Sequence, residues 1–229
     1  MIYLGDTKIG KMYLGSTSIG KAYLGANKVF EKGGSGPVIQ RNYLISGSPT
    51  ISGNSYIPVD TDGFIYTNIP FSPSEADSWT IQTKVKINTA SAWKDIISTV
   101  NSSGEKVQAM TAQTTSTDSN RQVKLYMSNN GTSWNVASAV CGKTIAIGTW
   151  YVFQIVCTRS GNNYVYKMGF PDTGSWSSTS SKTTHPTYGN YISFGGGWGH
   201  VPDAEFDLSE TKIYVNGSVT WEAITVIQQ

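Results

Sequence analysis

The chain has 229 residues, with 17 Lys and Arg against 15 Asp and Glu, a net charge of +2 and only 14% charged residues. That balance creates no electrostatic demand for a nucleic-acid or anionic-membrane partner, and two cysteines make no disulfide framework. What remains is a chain long enough for one well-buried all-β domain plus an appendage, with a composition rich in Ser, Thr, Asn, Gly and aromatics that suits a polar, weakly charged surface.

The opening MIYLGDTKIGK has no cationic stretch followed by an apolar run, so it reads as no secretory signal. No window approaches the roughly 20 apolar residues of a membrane span. Residues 1–30 repeat with a period of ten: IYLGDTKIGK, MYLGSTSIGK, AYLGANKVFE. Each unit predicts a short strand, a tight turn at Gly5, Gly15 or Gly25, and a second short strand. Tyr3, Leu4 and Ile9, then Tyr13, Leu14 and Ile19, then Tyr23, Leu24 and Val29 are the apolar anchors of the three units. So few anchors bury no core alone, and repeats of this kind are stable when stacked or docked. Residues 1–31 are therefore expected to anchor or oligomerise the protein. Gly33, Gly34, Ser35, Gly36 and Pro37 predict a linker over 32–37, followed by a sandwich over 38–229.

In SWTIQTKVKI (78–87), Trp79, Ile81 and Thr83 share one face against Thr80, Gln82 and Lys84. WKDIISTV, VKLYMS, TWYVFQIVCT, NYVYKMGF, YISFGG and TKIYVNG are further β-branched or aromatic runs, separated by turns such as NNGTSW, RSGNNY and FPDTGSW. Cys157 is in phase with Tyr151, Phe153 and Ile155, which predicts a buried thiol. A Cys141–Cys157 bridge would need Cα atoms within about 7 Å. No window sustains a helical period, and the spacing predicts a two-sheet jelly-roll sandwich.

Trp79, Trp150 and Trp221 fall inside strand patterns and read as core. Trp93, Trp134, Trp176 and Trp198 fall in or beside polar turns, where a large aromatic needs a reason. Stacking on pyranose faces, with amide and hydroxyl hydrogen bonds around it, is one such reason; capping a sandwich end is the other. GGGWGH (195–200) points most strongly to a site, with His200 beside Trp198 and bare backbone around both. Tyr188, Asn190 and Tyr191 are candidates to line the same end. His185 and His200 sit in Pro/Gly-rich loops and read as surface residues.

SWTIQTKVKI, IAIGTWYVFQIVCTRSGNNYVYKMG and the pair YISFGGG and AEFDLSETKIYVNG together resemble the concanavalin A-like, laminin-G-type sandwich over roughly residues 45–220. The closing Asp207-Leu208-Ser209, Ile213-Tyr214-Val215-Asn216-Gly217 and Trp221, combined with the tandem YLG units, are similar to bacteriophage tail and other virion proteins. The resemblance implies a virion component assembled in the host cytoplasm, with residues 1–31 contacting other virion proteins and the sandwich meeting host-surface glycan. It implies a homo-oligomer, trimeric by default for a fibre, with no nucleic-acid partner and no membrane insertion. A purely structural or decorating virion component and a glycan depolymerase are the alternatives.

Glu205, Asp207 and Glu210 form an E-x-D-x-x-E spacing, which is similar to the catalytic motif of laminarinase-type glycosidases, where the two Glu are nucleophile and acid/base and the Asp tunes them. Retaining chemistry needs its two carboxyls about 5–5.5 Å apart. On a regular strand Glu210 points away from the other two, and only a bulge restores the phase. Those enzymes also carry the motif on a mid-domain strand, whereas here it lies on the closing one. The expectation is therefore of water-facing carboxylates and a protein that is not an enzyme. AEFD resembles the metal-binding strand of legume lectins as well, but no Asp or His follows Asp207, so the ligand count fails. No cofactor is expected; calcium in DTDG (60–63) or PDTG (171–174) is the lesser alternative to plain turns.

Overall fold

A computed structural model describes the backbone of residues 3–4, 7–8, 13–14, 17–18, 21–24, 27–31, 38–59, 63–74, 77–89, 92–115, 121–128, 134, 136–182, 189–223 and 225–228. Side chains are described from Arg41 onward within these, except at 136–139, 180, 182 and 225–228. The chain divides into two compact units, Met1–Gln40 with Thr225–Gln229, and Arg41–Ile224.

In the first unit each ten-residue repeat holds one antiparallel pair: β1 (Tyr3–Leu4) with β2 (Thr7–Lys8), β3 (Tyr13–Leu14) with β4 (Thr17–Ser18), and β5 (Lys21–Leu24) with β6 (Asn27–Glu31). The pairings Leu4↔Thr7, Leu14↔Thr17 and Leu24↔Asn27 recur with the sequence, as the hairpin reading expects. Ile9, Ile19 and the linker 32–37 lie outside the described residues. β7 (Val38–Arg41) pairs with β24 (Thr225–Gln228). That pairing draws residues 38–40 and 225–229 into the first unit, where the sequence reading placed them in the sandwich.

The second unit is a β-sandwich. Among the described residues one sheet has nine strands. In spatial order they are β19 (Ser175–Trp176), β18 (Asn163–Phe170), β17 (Trp150–Ser160), β12 (Trp79–Ile87), β22 (Ala204–Val215), β10 (Ser55–Ile57) and β9 (Thr50–Ser52). β20 (Ser180–Lys182) adds to β18 and β23 (Ser218–Glu222) to β22. The facing sheet has seven: β16 (Val136–Cys141), β15 (Val123–Met127), β14 (Lys106–Thr114), β13 (Asp95–Val100), β21 (Tyr191–Phe194), β11 (Phe64–Thr67) and β8 (Tyr43–Ser46). Neighbouring strands run antiparallel in both, so alternate side chains of each strand reach the interior.

The interior is one apolar cluster fed from both sheets, with Ile81, Phe153, Ile155, Met168 and Phe206 facing Ile65, Ile97, Met110, Leu125 and Phe194. Each such side chain contributes about 1.5–3 kcal/mol when fully buried. Two aromatics tie the layers together. The Trp221 ring stacks on Phe194 at 5.7 Å with a 6° interplanar angle. The buried Tyr56 hydroxyl donates to the Phe194 carbonyl at 3.0 Å and accepts from the Ile65 amide at 3.0 Å, the partners a buried phenol requires. Trp79 and Trp221 are core, as expected. Trp150 is not: it is out of phase with the inward Tyr151, so it faces outward with the Lys86 ammonium 4.9 Å from its ring centroid. Cys141 and Cys157 are both buried thiols outside any disulfide, one in each sheet. Burial pushes the Cys157 thiol up to about 12. Among the described residues no helix is long and apolar enough to cross a membrane.

Candidate functional site: an aromatic platform on the seven-stranded sheet

Cross-strand register sets Leu44, Tyr66, Ser193, Ser98, Thr111 and Tyr126 in one row. Their chain neighbours Ile65, Phe194, Ile97 and Leu125 are core, so the row lies on the outer face of the sheet. Its middle members, Ser193, Ser98 and Thr111, are small, and the segment 195–200 lies over them. Gly197 has φ +127°, and a Cβ there would sit 2.7 Å from Ser193 Oγ. At Gly199 a Cβ would meet the Trp93 carbonyl oxygen at 2.7 Å. The glycines of GGGWGH are therefore what allow the backbone to lie flat on the sheet. Ser193 Oγ donates to the Gly196 carbonyl at 2.6 Å, and the Gly195 amide donates to the Ile96 carbonyl at 3.0 Å.

Asp95 locks this segment in place. Its buried carboxylate accepts from the Gly199 amide, from Gln113 Nε2 at 2.7 Å and from Thr111 Oγ1 at 2.8 Å, with a further bond from the Trp198 amide. Burial pushes the carboxyl above the ordinary carboxylate range, while these donors pull against it. The other wall is the chain at 93–95. The His200 amide donates to the Trp93 carbonyl at 3.4 Å, and the Asp95 amide to the His200 carbonyl at 3.2 Å. Trp93 itself has φ +60°, a conformation that costs a side-chain-bearing residue about 1–3 kcal/mol. It keeps that conformation with 52% of its surface exposed.

Sheet and loop together align four rings. Trp93 meets Tyr126 at 6.2 Å between centroids, Tyr126 meets Trp134 at 6.1 Å, and Trp134 meets Trp198 edge-on at 5.0 Å. Lys106 Nζ lies 5.5 Å from the Trp198 ring and Lys124 Nζ 5.1 Å from the Tyr126 ring. Beside Trp198 opens a cleft of about 620 Å³, lined among others by Phe64, Glu105, Lys106 and His200.

Of the residues singled out in the sequence, Trp93, Trp134, Trp198 and His200 come together here. Tyr191, half-buried, lies on the same outer face, edge-on to Tyr66 at 6.3 Å. Trp176 stands apart in the nine-stranded sheet, with Lys167 Nζ 4.4 Å from its ring. Tyr188 and His185 lie outside the described residues. Sequence reasoning passed over Tyr126, Lys124, Lys106 and Asp95. A signal for two of them was present: in VKLYM, Lys124 and Tyr126 are out of phase with the buried Val123, Leu125 and Met127.

The acidic motif lies on the other sheet, in β22. Gln82 pairs with Lys212 and Lys84 with Asp207, so the register breaks between them. Four residues, Leu208–Thr211, stand opposite Thr83 alone, three more than a regular ladder holds, with the exposed Ser209 in their midst. The Ser209 amide and hydroxyl donate to Asp207 Oδ1 at 3.0 and 2.6 Å, and Thr211 Oγ1 donates to the Asp207 carbonyl at 3.0 Å. The burial pattern restarts after Ser209, so Glu205, Asp207 and Glu210 all face outward. The regular-strand expectation for Glu210 is thereby corrected. All three are held by cross-strand partners: Lys86 and Ser55 on Glu205, Lys84 on Asp207 at 3.5 Å, and Gln82 Nε2 on Glu210 at 3.1 Å. Hydrogen bonds from Lys86, then Ser55, hold the Glu205 carboxyl below its usual range, the opposite of what a general acid needs.

Among the described residues no group of three His, Cys, Asp or Glu is placed to hold a metal ion. PDTG folds as a 3-10 turn at Pro171–Thr173 closed by a left-handed Gly174, with Asp172 accepting the Val152 amide at 3.1 Å. Residues 60–62 of DTDG lie outside the described residues.

No protein-family profile and no curated protein sequence matches the chain. Among solved structures it is similar to the metal-free carbohydrate recognition domain of Emp46p, with TM-score 0.51 and 10% identity over 76% of this chain and 88% of that one. It is similar also to the full-length tailspike protein 2 of Escherichia coli O157:H7 bacteriophage CAB120, with TM-score 0.48 and 10% identity over 82% of this chain and 26% of the tailspike. A third is the CBM2 module of the evolved Dit of Lactobacillus casei BL23 phage J-1, with TM-score 0.43 and 9% identity over 72% and 78%. The chain thus spans about a quarter of the tailspike's length. The likeness to the Emp46p domain is one of fold.

Proposed function

We propose that the protein is a non-catalytic bacteriophage virion component whose sandwich binds host-surface glycan on the outer face of the seven-stranded sheet. Fold alone would not carry this. The observation that does is the run Trp93–Tyr126–Trp134–Trp198, four rings in successive contact, Trp93 exposed and the other three half-buried. Partly exposed aromatic rings beside the glycine backbone of Gly197 and Gly199 are what a pyranose ring recognises. The left-handed Trp93 supports the same reading, since strain of this kind persists where the surroundings impose it and clusters at ligand sites. The virion setting rests on the YLG repeats and the closing-strand pattern, whose likeness to phage virion proteins also motivates residues 1–31 as the segment that joins other virion proteins or further copies.

The test is to apply the full chain to a panel of bacterial surface polysaccharides, reading bound protein and released reducing ends in the same wells. Binding without release is expected, weakened about tenfold by Trp198→Ala or Trp134→Ala, since each stacked ring contributes about 0.5–1.5 kcal/mol beyond its buried area. Silence across the panel by a folded protein would transfer the reading to a decorating role on the particle. One observation favours a second reading: the bulge at Ser209 brings the E-x-D-x-x-E carboxyls to one face. Release of reducing ends that disappears in Glu205→Gln would establish a depolymerase instead.

A further inference from the structure

The charged groups that touch the platform's rings are both cations. Lys106 Nζ sits 5.5 Å from the Trp198 ring and Lys124 Nζ 5.1 Å from the Tyr126 ring, so ammonium groups flank two of the four rings. Among the described residues neither lysine has a carboxylate within ion-pairing distance; the ion pairs there are Lys84–Asp207 and Lys86–Glu205, both in the other sheet. The acids near the platform are already engaged. Asp95 is buried beneath it and spends its oxygens on Gly199, Gln113 and Thr111. Glu105, which lines the cleft with Lys106, accepts from Asn101 Nδ2 within its own turn at 2.7 Å.

From this arrangement we infer that the site takes an acidic polysaccharide, a glycan whose rings carry carboxylate or phosphate. The inference rests on the glycan-binding reading and narrows it. A sugar that stacks on Trp198 or Tyr126 displaces the ammonium from the ring face to the ring edge, where a substituent of the sugar meets it. A neutral hydroxyl there gains an ordinary hydrogen bond, whereas an anionic oxygen gains a charge-assisted one. Lysine suits this role because it acts as a point charge on a flexible stem and accepts either anion.

The experiment uses the full chain on acidic bacterial capsular and exopolysaccharides, each presented in its native form, after carboxyl reduction and after dephosphorylation. Native forms are expected to bind about tenfold more tightly than the twin that has lost its anion, with the advantage shrinking at high salt. The treatment that removes the advantage identifies the anion. Lys106→Gln and Lys124→Gln should each weaken binding of the native form about 2- to 5-fold, as for exposed charge pairs, and narrow its advantage over the neutral twin. Lys→Arg at either position should retain the preference. Trp198→Ala must weaken the native form too; if it does not, the acid is held elsewhere on the surface and the inference is lost. Equal binding of native and neutral twins overturns the acidic preference while leaving the glycan reading intact. Binding to no form, by protein with an unchanged near-UV CD spectrum, overturns both.

Discussion

Trp93 places an indole half in solvent on a backbone conformation that suits glycine, with φ +60° and 52% exposure. The exposed part of its surface yields no burial energy, and the left-handed conformation costs about 1–2 kcal/mol. Trp93→Gly should therefore be neutral or raise the melting temperature by a few degrees, at about 2–4 °C per kcal/mol for a domain of this size, while glycan binding falls. A lowered Tm by differential scanning fluorimetry would show the ring to be a packing element. Asp95 and Glu205 make a pair of opposite sign. Burial raises the Asp95 carboxyl, so its contribution to stability is greatest below the ordinary Asp range of about 3.9 and fades as pH rises through the raised value. Lys86 and Ser55 lower the Glu205 carboxyl, so its contribution is present above the ordinary Glu range and fades as pH falls through the lowered value. The Tm difference between the parent and Asp95→Asn should accordingly move in the parent's favour on acidification from pH 7 toward 4. The difference between the parent and Glu205→Gln should hold down to the ordinary Glu range, about 4.3, and shrink below it. Asp95→Asn should also cost binding at pH 7, because the amide turns a donor toward Gly199 or Gln113, whose own N–H groups then lose their acceptor.

At the scale of elements the loop 195–200 and the strands beneath it are one device, and Gly197 is its most demanding position. An Ala there would take up φ +127° with its Cβ 2.7 Å from Ser193 Oγ and 3.1 Å from Val100 Cγ1. Gly161→Ala is the control, with φ +58° and nothing within 4 Å of the added carbon. Urea unfolding should show about 2–4 kcal/mol lost in Gly197→Ala, from strain plus overpacking, against about 1–2 kcal/mol for the control; equal losses would mean that the segment yields freely. These elements also mark how far the sequence could be read. Strand parity was legible wherever one face is buried: it placed Trp79, Ile81 and Thr83 inward and set Cys157 in phase with Phe153. Parity, applied strictly, would also have turned Trp150 outward. Two things were not local enough to read. The meeting of Trp93, Tyr126, Trp134 and Trp198 follows from a register running across five strands, which no single stretch encodes. The Ser209 bulge is stabilised by an Asp207 side chain that folds back on the next turn and by a partner strand far away in sequence.

At the scale of the molecule, the two units differ in what holds them. Residues 41–224 enclose a core shared by two sheets. The strand pairs of the other unit are only two to five residues long, and isolated two-stranded pairs are marginal in water. A protein comprising 41–224 should therefore keep the main thermal transition within a few degrees of the full chain and retain the binding of a single platform in solution. If the shorter protein lacks a cooperative transition, the sandwich depends on the repeats and the division is wrong. On the proposed reading the repeats act through assembly: light scattering should find the full chain oligomeric and 41–224 monomeric. A weak single site, repeated on one particle, holds a surface through effective concentration rather than new contacts. On a glycan-coated sensor the full chain should thus dissociate on the order of 10²-fold more slowly than 41–224, even though the two show equal affinity for a short, soluble oligosaccharide. Equal dissociation rates on the coated surface would separate the repeats from adhesion and leave them the task of joining the particle.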